Sequence, residues 1–210
     1  MKATLFLKRT ALVIILLTMM SIARSYAQDF KIEPIPDSVF LRMKGKSYKS
    51  NCTTKRSDLR YLTVLYINEK GEKKKGELIC NKAIANDLIE IFTELYKQHY
   101  PIHSIRLVDE YDAIDEKSME ANNTSCFNFR GISNGATLSK HARGMAIDIN
   151  PLWNPCIHLS GKRAGTIEPK NAKREHKIDK NDLCYKLFIK HGFRWGGAWK
   201  SVKDYQHFEK

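Results

Sequence analysis

Leu138-Ser139-Lys140-His141-Ala142-Arg143-Gly144-Met145-Ala146-Ile147-Asp148-Ile149-Asn150-Pro151 sets a histidine and a carboxylate seven positions apart, with a glycine between them. A carboxylate among Ala146, Ile147 and Ile149 is out of keeping with an ordinary core strand. Burying it is costly unless it is paired or holds a metal. Alternation along a strand places Ala146, Asp148 and Asn150 on one face and Ile147 and Ile149 on the other. Asp148 can then point toward a site while the isoleucines anchor the sheet. His141 lies an odd number of positions from Asp148, so the chain must turn near Gly144, where glycine admits unusual backbone angles. Histidine nitrogen and carboxylate oxygen are both zinc ligands, and a catalytic zinc keeps one position open.

The C-terminal stretch Trp195-Gly196-Gly197-Ala198-Trp199-Lys200-Ser201-Val202-Lys203-Asp204-Tyr205-Gln206-His207-Phe208-Glu209 supplies a second histidine with a carboxylate three positions before it. In a tight turn or helical geometry, positions three apart lie on one side. His207 would complete a three-ligand zinc site, with Asp204 next to the water.

Ser-x-His-x-x-Gly-x-Ala-x-Asp at 139–148, followed by Trp-Gly-Gly-x-Trp at 195–199 and Asp-x-x-His at 204–207, resembles one zinc peptidase family. It is the family of D-alanyl-D-alanine carboxypeptidases and L-alanyl-D-glutamate endopeptidases, related to the vancomycin-resistance dipeptidases and more distantly to the hedgehog signalling domain. Its members cut the short peptides of bacterial cell walls. The resemblance covers residue 102 to the C-terminus, most firmly at 122–151 and 193–209. It implies an α+β fold, with helices packed on one face of an antiparallel sheet whose exposed face carries zinc.

The resemblance also implies roles. One zinc ion is held by His141, Asp148 and His207, and Asp204 takes the proton of the attacking water. The run Asn122-Asn123-Thr124-Ser125 and the later Arg130 match the family as well, which places Arg130 at the active site. There a guanidinium holds a substrate carboxylate or steadies an oxyanion. A structural ion pair is the competing reading. Ser139 becomes a substrate-contacting hydroxyl, with local loop capping as the plainer alternative. Two positions depart from the pattern. Ala198 stands where many relatives carry Asp, and Cys156 stands where an aromatic is common.

The chain opens with Lys2, Lys8 and Arg9, a nearly apolar run from Ala11 to Met20, and Ser25-Tyr26-Ala27 as a small-x-small cleavage site. These are the features of a secretory signal peptide over residues 1–27. The apolar run is short for a membrane span, so no stable span is expected after cleavage. Removing Lys2, Lys8, Arg9 and Arg24 with the leader lowers the formal charge from +13 to +9. That excess of base reads equally as attraction to an anionic cell envelope or as a solvated basic surface. The expected location is periplasmic or extracellular, which argues against nucleic acid as a partner. Cys52, Cys80, Cys126, Cys156 and Cys184 can oxidise there, although an odd count leaves one unpaired in the expected monomer. Cys126 and Cys156 flank the site segment, and buried thiols are the alternative.

Residues 28–50, with Pro34 and Pro36, show little periodicity and are expected as an N-terminal arm ahead of a zinc peptidase domain at 51–210. Leu59 to Ile67 predicts a strand, Asn68 to Gly76 a charged turn, and Glu77 to Cys80 the returning strand. Asn81 is a candidate N-cap for a helix whose stripe is Ile84, Leu88, Ile91, Phe92, Leu95 and Tyr96. Ile102 to Val108 predicts another strand, and Asp115-Glu116 a helix start. Residues 152–180 are irregular and basic, and 181–190 predict a short helix ending at Gly192.

Three functions fit these features. A zinc metallopeptidase acting on peptidoglycan stem peptides is favoured, as a D-alanyl-D-alanine carboxypeptidase or an L-alanyl-D-glutamate endopeptidase. A non-catalytic zinc module that binds wall peptide or protein is the alternative, and Asp204 argues against it. A metal-free exported structural protein is the third.

Overall fold

The computed structural model describes residues 29–131, 137–158 and 176–210. The expected signal segment, and most of the basic stretch from 159 to 175, lie outside the described residues. The fold is α+β, with antiparallel sheets and helices packed against them.

Its base is a three-stranded antiparallel sheet of β1 (Lys31–Glu33), β2 (Leu59–Ile67) and β3 (Lys73–Asn81), in that order. The β2–β3 hairpin runs in unbroken register from Leu59↔Asn81 to Ile67↔Lys73. Its turn is tighter than expected, because the Asn68 side-chain oxygen accepts from the amides of Lys70 and Glu72. Lys73 to Lys75 therefore belong to the strand rather than to the turn. Period-two alternation sends Leu62, Val64, Tyr66, Leu78 and Cys80 into the main core. Leu59 and Ile79 face a second core on the other side.

The helix α2 (Ala85–Lys97) buries Leu88, Ile91, Phe92 and Leu95 in the main core. Asn81 is not its cap. Asn81 ends β3, and its side chain accepts from the amide of Ala83, so the chain makes one more turn before the helix begins. The segment expected as an arm is built into the sheet. Lys31–Glu33 pairs with Tyr61–Thr63, and α1 (Asp37–Met43) buries Val39 and Met43 against the second core. Elements this short carry too few repeats to show a period in sequence.

Of the strand expected at 102–108, only β4 (Ser104–Ile105) forms, paired with β5 (Asn123–Thr124). Val108–Tyr111 winds instead into a 3₁₀ turn. The acidic run starts α3 (Asp115–Glu120).

The second sheet carries the site. Its order is β6 (Ala146–Asp148), β10 (His207–Glu209), β8 (Arg194–Trp195), all antiparallel. α4 (Leu183–Lys190) packs on one face, with the Phe188 ring stacked on Phe208 at 4.3 Å. Asp182 caps this helix by accepting from the amides of Cys184 and Tyr185. Ile147 joins the same core, so β6 and β10 turn Ile147 and Phe208 inward and Asp148 and His207 the other way. β7 (Cys156–His158) and β9 (Val202–Asp204) form a separate antiparallel pair. All five cysteines are free thiols.

Candidate metal centre

His141 arrives on a 3₁₀ turn, Lys140–Arg143, capped by Ser139, whose hydroxyl accepts the His141 amide at 3.2 Å. Gly144 follows at φ +65, and the chain reverses into β6. A side chain there would be strained, and its Cβ would also stand 2.7 Å from the Asn81 amide nitrogen. This reversal resolves the parity problem between His141 and Asp148. Asp148 then ends β6 directly across from His207 on β10.

The three side chains converge and are buried. His207 Nδ1 lies 3.0 Å from Asp148 Oδ1, His141 Nε2 lies 3.2 Å from Asp148 Oδ2, and the two ring nitrogens are 3.2 Å apart. The remaining ring nitrogens are bonded elsewhere. His141 Nδ1 donates to the Cys126 carbonyl at 2.6 Å, and His207 Nε2 lies 3.4 Å from Glu209 Oε2.

This donor set fits a metal ion. Ligands on a tetrahedral zinc at bonds near 2.0–2.1 Å stand about 3.3 Å from one another, close to the spacings found here. Each imidazole keeps its outward nitrogen on an acceptor, which leaves the inward nitrogen free to ligate. Without a metal, protons must hold the trio together. Burial opposes charge on Asp148, yet the two histidines hold its carboxyl well below the usual range. Burial likewise opposes charge on His207, but the hydrogen bonds to Asp148 and Glu209 push it up to about 10.

Asp204, on β9, faces the same cleft of about 780 Å³. Its Oδ1 is buried and has no hydrogen-bond partner among the described residues. Burial, and then the Asp148 charge, push its carboxyl up to about 7. Cys156 pairs with Asp204 across β7 and β9, and burial pushes that thiol up to about 12. Among the described residues the geometry thus brings together a trio able to hold a metal and a buried carboxylate with one oxygen, Asp204 Oδ1, left without a partner.

Arg130 lines the cleft, with Nη2 2.7 Å from Asp115 Oδ2. The two readings of this residue coexist, since the guanidinium is ion-paired and also faces the site. Its Nε is buried without a partner. Ser139 also lines the cleft, but its hydroxyl is engaged as the cap of the His141 turn. Trp199 stands on the wall, 5.2 Å from the His207 ring, whereas Trp195 packs in the core and donates to the Tyr205 carbonyl. His103 pairs with Glu69, and His176 stacks on Trp153, so neither joins the centre. Two residues escaped the sequence reading. In sequence Asp115 reads only as a helix-start acid, and Glu209 belongs to no motif. The signal for Glu209 was its place two positions after His207, on the same face of a strand.

Residues 133–210 match the family model described as D-alanyl-D-alanine carboxypeptidase. This part of the chain, 78 of 210 residues, is similar to that peptidase family. The match takes in His141, Asp148, Asp204 and His207, and it leaves Arg130 and the β1–β3 sheet outside. No curated protein and no solved structure matches the chain. The similarity supports a hydrolytic peptidase. No helix among the described residues is long and apolar enough to cross a membrane.

Proposed function

We propose that the protein is an exported zinc peptidase that hydrolyses the stem peptides of bacterial peptidoglycan. The observation that carries this is the buried His141–Asp148–His207 trio with Asp204, whose Oδ1 has no partner among the described residues, in the same cleft. His141 Nε2, an Asp148 oxygen and His207 Nδ1 would hold the ion. Bound zinc supplies Lewis acidity and an activated water.

The chain's own groups do the rest. Asp204 Oδ1 takes a proton from the attacking water and returns it to the leaving amine, a task suited to a carboxyl raised to about 7. Arg130 directs its guanidinium donors at the oxygen that becomes negative as the amide is attacked, and Asp115 holds it in place. Trp199 walls the cleft. The basic leader at 1–27 supports delivery to the periplasm or beyond.

The family's description favours the terminal D-alanine bond. The Arg130–Asp115 pair favours a second reading, cleavage of an internal bond such as L-Ala-D-Glu. A guanidinium already matched to a carboxylate is a poor receptor for a free C-terminus.

Mass spectrometry of peptidoglycan fragments incubated with zinc-loaded protein tests both, beside Asp204→Ala. Loss of terminal D-alanine marks a carboxypeptidase, and a cut after L-alanine marks an endopeptidase. Asp204→Ala should bind zinc and cut nothing. A zinc-loaded wild type that leaves every fragment intact would refute the proposal in favour of a binding module.

A further inference from the structure

The two histidines of the centre are held from behind by different chemistry. His141 leans on a neutral backbone carbonyl, that of Cys126. His207 leans on a carboxylate, Glu209, which is itself fixed from the other side by Arg194 Nη2 at 2.7 Å from Oε1. We propose that Glu209 is a positioning residue for the metal, holding the His207 ring with Nδ1 inward and strengthening the site's grip on its ion. Glu209 has this role only if the trio holds a metal, as proposed above.

The placement follows from the sheet. β10 carries His207 and Glu209 two positions apart, so both side chains leave the same face while Phe208 between them enters the core. β8 sets Arg194 directly across from Glu209. Arg194 is mostly exposed and covers a carboxylate that is itself 12% exposed. The ion pair thus partly shields Glu209 from water and points its other oxygen at the imidazole.

Glu209 is not a fourth ligand in this arrangement. Its oxygen meets Nε2, whereas the nitrogen that faces Asp148 and His141 is Nδ1, on the other side of the ring. Nor is it only a rim charge, because its Oε2 is turned to the ring while Oε1 takes the arginine. A carboxylate accepting the outer N–H of a ligating histidine fixes the tautomer, orients the ring and raises the basicity of the inner nitrogen. The Glu209 carboxylate brings a charge that the carbonyl behind His141 lacks, across a longer contact of 3.4 Å against 2.6 Å.

The test is the zinc dissociation constant, measured by chelator competition on purified protein for wild type, Glu209→Ala, Glu209→Gln and Arg194→Ala. Losing such a partner weakens metal binding by about 10- to 100-fold, which is the expectation for Glu209→Ala. Glu209→Gln keeps an acceptor without the charge and should fall between Ala and wild type. Arg194→Ala keeps the carboxylate and should lose less than Glu209→Ala. The visible spectrum of the cobalt(II)-loaded forms should shift with Glu209 and change little with Arg194.

Wild-type zinc affinity in both Glu209 variants overturns the proposal. So does an Arg194→Ala loss equal to that of Glu209→Ala, since the ion pair rather than the bond to His207 would then be what matters. A wild type that binds no zinc overturns the metal site itself, a different failure seen in the first titration.

Discussion

Gly196 offers a way to disturb the centre without substituting any residue in it. It opens the 3₁₀ turn Gly196–Ala198 that follows β8. A methyl group there would stand 2.7 Å from the Asp204 carbonyl oxygen, 2.9 Å from Asp204 Cβ and 3.2 Å from His207 Cβ. The first contact falls short of ordinary van der Waals distance by about 0.7 Å, and none of these atoms is the end of a flexible side chain. Relief must come from moving the backbone of β9, of β10 or of the turn. Overpacking of this kind costs about 1–3 kcal/mol. A misplacement of about 1 Å at a reacting group costs about 100-fold in rate. Gly196→Ala should therefore lose stability in that range and slow turnover by about 10- to 100-fold. Gly192→Ala is the control. It is strained by φ +78, worth about 1–2 kcal/mol, but its methyl group meets only the end of the Lys210 side chain at ordinary distance. Urea denaturation and single-turnover cleavage of a stem peptide, both on zinc-loaded protein, separate the two. Gly196→Ala turning over at the wild-type rate, or Gly192→Ala slowing equally, would refute the coupling between this turn and the site.

In the metal-free protein His207 keeps its proton up to about 10, whereas the unfolded chain releases it near 6.5. The folded state binds more protons in that interval, so this contribution is fully present below about 6.5 and is lost as pH rises to about 10. Denaturation of chelator-treated protein should show that decline, and zinc-loaded protein, whose ligand nitrogen is already deprotonated, should not. Arg130→Ala should lower kcat by about 100- to 1000-fold with zinc affinity unchanged, as for a lost oxyanion donor, and zinc titration beside steady-state kinetics checks both halves. Phe208→Ala empties a fully buried site stacked on Phe188 and should cost about 3–5 kcal/mol in equilibrium unfolding, with weaker zinc binding because β10 carries His207.

The centre was legible where residue type and spacing both spoke. His141, Asp148, Asp204 and His207 could be named because few other functions need those types at those intervals. The turn at Gly144 followed from parity alone, and the structure gives that glycine a left-handed backbone. Partners set by tertiary contact were not legible. Asp115 reaches Arg130 only because α3 and the segment before the site fold onto one cleft. Arg194 meets Glu209 through a two-residue strand pairing that no period reveals. Lengths failed for the same reason. The apolar run at 102–108 has a partner for only two residues, and Asn81 was drawn into β3 before it could cap a helix. β1 is too short to alternate, so its place beside β2 became visible only in the sheet.

Asp148 and His207 are neighbours across two strands yet lie 59 positions apart in the chain. An ion gripped by both would act as a cross-link that closes a long loop. Such a closure removes many conformations from the unfolded chain, and the entropic gain grows slowly with loop length. Metal loading would thus fasten β10 to β6, so that one event both arms the site and locks β10 into the fold.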